Sequence, residues 1–331
     1  MDLFPLAWAA IIAFAIVMYV VLDGVTLGTA MLLPFLNEEE RDLAVSVILP
    51  TWDGNQTWLV LGAACLYGAF PVAFSAILPV FYIPLLVMVV ALLFRGVVFE
   101  FRLKDRNHIK YWDIIFTVSS IVVTVIQGVV LASFVQGLDY GSVPYLVSKT
   151  NLLTWFALFV SFCLIIGYCL LGATRLIYKT EGSLQAKMYK IAPIAGLLVM
   201  FGIGIVSLWT PFANPAIYTR WFANQNWLLL GILPYLAGIS FLLFLYAIKQ
   251  RDESLPYLCA VSLFIYSYIG FIIGLYPYIV PYKMTIWEAA APTSSLYFMM
   301  VGALIMLPIL LIYTAYSYRI FKGKVKNVFH Y

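Results

Sequence analysis

Long apolar runs constrain this chain more than any motif in it. Nine stretches, at about residues 6–35, 47–71, 76–101, 113–137, 152–175, 191–211, 227–248, 256–278 and 294–318, reach or exceed the roughly 20 residues that a lipid core demands. A backbone in lipid must satisfy its own hydrogen bonds, which leaves helices or closed barrels. Runs this long, without strict alternation, predict helices. Only 10% of the 331 residues are charged and 64% are hydrophobic, whereas soluble domains carry about 25% charged residues. The expected architecture is therefore an all-α integral membrane protein with nine spans. The gaps are short, so residues 1–331 read as a single polytopic domain. No internal repeat is visible, which speaks against a duplicated transporter.

The cations give the chain a direction. Arg41; Arg102, Lys104, Arg106 and Lys110; Arg175, Lys179, Lys187 and Lys190; Lys249 and Arg251; and Arg319, Lys322, Lys324 and Lys326 all fall in one set of gaps. The alternate set holds Lys149, Arg220 and Lys283, and Arg95 lies inside a span. Fifteen against three is a positive-inside bias that puts the N-terminus outside and the C-terminus in the cytoplasm of a bacterial inner membrane. Trp8, Trp155, Trp221, Trp227 and Trp287 fall near outer ends, as an aromatic belt would. The N-terminal segment lacks a basic leader region, so the first span reads as retained. The cations follow topology and form no nucleic-acid patch.

Some chemistry is excluded by what is missing. His108 and His330 lie in a loop and in the tail, so no histidine sits at bilayer depth to hold a haem. Cys65, Cys163, Cys169 and Cys259 fall within spans without a CxxC pair and read as small packing residues, neither disulfides nor metal ligands. No phosphate-binding loop, dinucleotide fingerprint or nucleophile elbow is present.

Ionisable residues inside a membrane are costly and mark function by default. Here they gather in the first three spans. Asp23 lies about 18 Å from the cytoplasmic end of the first span at 1.5 Å per residue, beside the GxxxG pair Gly24 and Gly28. Asp53 lies about 10 Å into the second, in a polar turn with Asn55, Gln56 and Thr57 bracketed by Trp52 and Trp58. Such a turn cannot face acyl chains and must line a subunit contact or a wet cavity. Burial disfavours the charged form, so the two carboxylates at staggered depths suggest a proton ladder from the cytoplasm, Asp53 first and Asp23 second. The alternative is that each only ties helices together. Arg95 and Glu100, about 140° apart on the third span, do not pair with each other. Arg95 needs a partner on another span, for which Asp53 has a compatible depth, or else it snorkels to headgroups. Asp113 suits a helix start.

In chain order, Leu22-Asp23-Gly24-Val25-Thr26-Leu27-Gly28, Met31-Leu32-Leu33-Pro34-Phe35-Leu36, Trp52-Asp53-Gly54-Asn55-Gln56-Thr57-Trp58-Leu59, Ala69-Phe70-Pro71 and Arg95-Gly96-Val97-Val98-Phe99-Glu100-Phe101-Arg102 resemble subunit II of the cytochrome bd quinol oxidases, including the cyanide-insensitive branch. Val25-Thr26 stands where that family more often has Phe-Asp, which removes a second buried acid. The resemblance implies two four-helix bundles plus one peripheral helix. It implies a heterodimer with a haem-bearing subunit I, at times with small single-span subunits. Subunit I would carry two b-type haems and one d-type (or third b-type) haem. Quinol and O2 would be the substrates of the complex, and a structural quinone is known in some members' subunit II. No catalytic residue is then expected in this chain. Asp53, with Asp23 deeper, would belong to a hydrophilic path at the subunit interface. Trp52, Trp58, Gly24, Gly28, Arg95, Glu100 and Arg102 would serve structure or the interface. A stand-alone proton-coupled permease and a purely structural partner are the competing readings.

Overall fold

The computed structural model describes residues 3–138, 151–222 and 231–325. Among these, the helices are α1 (Leu3–Leu32), α2 (Glu38–Ile48), α3 (Trp52–Ala69), α4 (Pro71–Lys104), α5 (Ile109–Gln136), α6 (Trp155–Lys179), α7 (Gly182–Ala213), α8 (Pro215–Phe222), α9 (Ile232–Lys249), α10 (Leu255–Leu275) and α11 (Thr293–Ile320). A two-stranded antiparallel hairpin, β1 (Tyr278–Val280) with β2 (Met284–Thr285), joins α10 to α11.

Local chemistry explains the boundaries. Pro34 ends α1 in a short 3-10 turn. Asn37 then opens α2 with a reciprocal cap: its side chain accepts from the Glu40 N–H at 2.9 Å while the Glu40 carboxylate accepts from the Asn37 N–H at 3.0 Å. Pro71 sits in the first turn of α4, where a missing N–H costs nothing, and stops α3 just before it. Thr154 caps α6 through the Ala157 N–H. Gly137, at φ 89°, ends α5 in a conformation that favours glycine.

Eight helices among the described residues are long and apolar enough to cross a membrane, not the nine expected: α1, α4, α5, α6, α7, α9, α10 and α11. The difference is the second span, expected at 47–71. Pro50 lies in the turn that separates α2 from α3. What remains is 18 residues, about 27 Å of helix, and its first turns are diluted by Asp53, Asn55, Gln56 and Thr57. The part of the expected seventh span before residue 231, with Trp227, lies outside the described residues.

Helix α1 is the hub and packs on α3, α5 and α6. Helix α5 also lies along α4 and α6, α7 along α6, and α9 along α10. Glycines set the closest approach: a Cβ on Gly28 would stand 1.7 Å from the Tyr168 backbone oxygen, and one on Gly172 would stand 2.6 Å from the Thr29 nitrogen. The GxxxG pair therefore joins α1 to α6. By contrast, α11 has one fully buried residue, Leu296. Trp8 does not face lipid as a belt residue. It is 2% exposed and donates its indole N–H to the Leu296 carbonyl at 3.2 Å, while Trp155 is 82% exposed.

Candidate functional site

Asp23 and Arg95 form the centre of the buried polar structure. Both side chains are fully buried, and the guanidinium grips the carboxylate bidentately, Nη1 to Oδ2 at 2.8 Å and Nη2 to Oδ1 at 3.0 Å. The expected pairing of Arg95 with Asp53 is thus corrected. The aligned α1 and α4 bring Asp23 and Arg95 to one level, and a fork-to-fork geometry satisfies both charges inside a low-dielectric core. One turn outward of Asp23 on the same face of α1 is Tyr19. Its hydroxyl accepts from Gln127 Nε2 at 2.9 Å, and Gln127 Oε1 accepts from the Tyr168 hydroxyl at 2.6 Å. Arg95 Nε, Thr26 Oγ1, Thr29 Oγ1 and Ser120 Oγ are buried with no partner among the described residues. Buried polar atoms in this state are commonly served by internal water.

Asp53 has the opposite surroundings. It is exposed, and its carboxylate makes no hydrogen bond or ion pair with the described residues. Thr57 is exposed on the same face, and Gln56 is half-buried with its Nε2 unpartnered. Asn55 alone of the polar turn points inward. It is 2% exposed and donates to the Leu22 carbonyl at 3.1 Å. Gly62 of α3 lies against Ala15 of α1. The two helices are therefore antiparallel, with the first turn of α3 level with Asp23. The ladder expected to climb from Asp53 to Asp23 is instead two carboxylates at one height, one sealed and one open.

The flanking residues have structural roles. Trp52 stacks on Phe99 at 4.6 Å, and Phe99 meets Phe116 edge-on at 5.0 Å. This aromatic layer separates the Asp23–Arg95 pair from a second charge group. There Arg102, 1% exposed, bonds Asp113 at 2.6 Å and Asp42 at 2.8 Å. Arg106 also reaches Asp42 at 2.8 Å, and Arg41 reaches Asp113 at 3.4 Å. Trp58 is fully buried against Phe14. Glu100 is exposed beside Lys104. Outside the spans, burial opposes the charge on Glu40, but the Lys187 ammonium at 2.5 Å and the Asn37 N–H outweigh it and hold the carboxyl below the ordinary glutamate range.

Sequence reasoning missed Asp42 and the role of Asp113 as partners of Arg102, because α2 was not recognised as a helix of its own. It also missed Gln127, whose lone amide within an apolar run was the available signal. His108 is exposed and bonds Asp105 at 2.9 Å, so the described residues offer no imidazole at bilayer depth. Nor do three His, Cys, Asp or Glu side chains converge anywhere among them.

A family profile described as cytochrome bd terminal oxidase subunit II matches residues 4–321. The chain is 25% identical to the cytochrome bd-I ubiquinol oxidase subunit 2 of Escherichia coli K12, across 96% of this chain and 94% of that one. It is 25% identical to the cytochrome bd ubiquinol oxidase subunit 2 of Bacillus subtilis, across 97% and 96%. Its fold is similar to a chain in the structure of bd oxidase from Geobacillus thermodenitrificans, with a TM-score of 0.82 at 13% identity, covering 97% of this chain and 99% of that one.

Proposed function

Because the chain belongs to the cytochrome bd terminal oxidase subunit II family, we propose that it scaffolds a haem-bearing subunit I and passes cytoplasmic protons to it through Asp53. The chain is a subunit of a quinol:O2 oxidoreductase. Oxygen reduction consumes protons, so a carboxylate at the subunit boundary has a task that needs no cofactor of its own.

The observation that carries this reading is the state of Asp53. A carboxylate on a lipid-level helix, exposed and without a partner among the described residues, is too costly to face acyl chains. A second subunit and the water between them remove that cost. Thr57 on the same face and the half-buried Gln56 supply further hydrogen-bonding groups to such a contact. Asp23 fits the alternative role better. Its bidentate lock on Arg95 ties α1 to α4 and commits both carboxylate oxygens to the guanidinium.

The wider arrangement follows the same reading. We read α1, α3, α4 and α5 as one bundle and α6, α7, α9 and α10 as a second, joined along the α1–α6 and α5–α6 seams, with α11 outside both. The cation bias supports an N-terminus outside and a C-terminus in the cytoplasm. With both histidines outside the apolar runs, the reading assigns the haems and their chemistry to subunit I.

Asp53→Asn in the assembled oxidase tests the proposal. Haem content should stay unchanged while quinol-driven O2 consumption falls roughly ten- to hundredfold, most steeply at alkaline pH where protons are scarce. Full turnover at every pH in an intact complex would refute it.

A further inference from the structure

We infer that Tyr318 is a positioning residue for Asp53, with Arg175 as its anchor. The inference rests on the proton-carrying role given to Asp53 above. Helix α11 is barely embedded, yet its inner half reaches α3 at the two residues that follow Asp53. The Tyr313 ring lies over Gly54, 3.5 Å from where a Cβ would stand. The Tyr318 hydroxyl donates to Asn55 Oδ1 at 3.2 Å. Asn55 in turn holds the Leu22 carbonyl through its amide nitrogen, so one buried side chain joins α1, α3 and α11 next to the exposed acid.

Tyr318 is itself held. The Arg175 guanidinium, near the end of α6, lies 5.3 Å from the Tyr318 ring, 5.2 Å from that of Tyr257 on α10 and 5.5 Å from that of Tyr178. No carboxylate among the described residues pairs with Arg175, so its bonding here is to aromatic faces, on which a planar guanidinium stacks in addition to the cation–π attraction open to any cation. The chain of contacts runs Arg175, Tyr318, Asn55 and the first turn of α3. That turn starts after the Pro50 break, and Thr51 supplies no side-chain cap to it. The Tyr318 bond and the Asn55 bridge tie the side chains of that turn to α11 and α1 and so fix the direction in which Asp53 leaves the helix.

The other charged or titratable side chains on the helices packed at this level are committed elsewhere. Asp23 is bound to Arg95, and Glu100 lies beside Lys104. On α11, Tyr316 and Arg319 are exposed, and Tyr313 and Tyr318 are the side chains that reach the first turn of α3. Positioning therefore falls to α11 and not to a neighbouring charge.

The test uses the whole purified oxidase with Tyr318→Phe, which removes one hydroxyl and keeps the ring on Arg175. Haem content and subunit stoichiometry report assembly, and O2 consumption is followed against pH. Tyr318→Phe should lower alkaline turnover roughly two- to tenfold, the scale of one lost hydrogen bond, with haem content and acid-side turnover intact. Arg175→Met, which removes the cation from the ring faces, should do the same. In an Asp53→Asn background Tyr318→Phe should add nothing. An unchanged pH profile per haem in both variants overturns the inference, as does reduced assembly with the profile retained, which would mark the contacts as structural. If Asp53→Asn alone leaves turnover unaffected, the reading beneath fails. If it impairs turnover and the Tyr318 and Arg175 variants do not, only the positioning role fails.

Discussion

Replacing Arg95 with Met should destabilise the protein more than almost any other single substitution in it. The guanidinium and the Asp23 carboxylate sit at 2.8 and 3.0 Å with neither side chain exposed. At that separation two unit charges attract by about 5–6 kcal/mol at an effective dielectric near 20. Desolvation offsets much of this in the intact pair. Once one partner is removed, the other is left as a buried uncompensated charge, and the cost rises to about 3–5 kcal/mol. Arg95→Met and Asp23→Leu should each show that loss. The double variant, with two apolar side chains of similar reach, should lose far less than the sum and resemble the better single variant or exceed it. Unfolding of the assembled oxidase by SDS, read from the fluorescence of the nine tryptophans of this chain and those of its partner, gives all three values under the same conditions. Simple additivity of the two single losses, or a cost below about 1 kcal/mol for Arg95→Met, would show that the pair does not act as a unit and would sink the argument.

The α1–α6 seam should tolerate no side chain at Gly28: a Cβ 1.7 Å from the Tyr168 oxygen needs the helices to part by about as much again, for an overpacking cost of about 1–3 kcal/mol or more. Gly28→Ala should cut the yield of haem-containing complex, whereas Gly62→Ala, whose Cβ would meet nothing nearer than 3.7 Å, should not. Glu40 gives an acid limb to stability. Its folded-state carboxyl is held below the usual range, so its contribution is complete above about pH 4.3 and is lost as pH falls through the depressed folded value. Glu40→Gln should lower stability at pH 7 and flatten that acid limb in an SDS titration repeated across pH, and an unaltered slope would count against the Lys187 contact as its source.

Much of the fold was legible because lipid leaves few options. Eight apolar runs correspond to eight long helices, most with ends a few residues from those expected, though α7 begins at Gly182, nine residues before the expected start. The failure at 47–71 has a physical cause: hydropathy averages over Pro50 and over the polar turn behind it, whereas the backbone breaks there. The residues of the site were legible as well, since a carboxylate or guanidinium in an apolar run stands out. Their pairing was not. Depth counted along a sequence gave Asp53 and Asp23 different heights, but the antiparallel register set by Asn55 on Leu22 and Gly62 on Ala15 makes them level. Tyr313 and Tyr318 were invisible for a different reason. In a chain with 23 tyrosines, nothing in the sequence separates a ring facing lipid from one that holds a neighbouring helix.

The order in which the chain is made gives the slight embedding of α11 a further meaning. Domains form from the N-terminal side as synthesis proceeds, and α1, α3, α5 and α6, which share close seams, are all complete by Lys179. The helix that steadies the turn bearing Asp53 emerges last. The core can thus settle while that turn is still loose, and the acid takes its final direction only when the last span is in place. A chain truncated before α11 would keep its buried ion pair and its glycine seam, yet be left with a carboxylate that has no fixed aim.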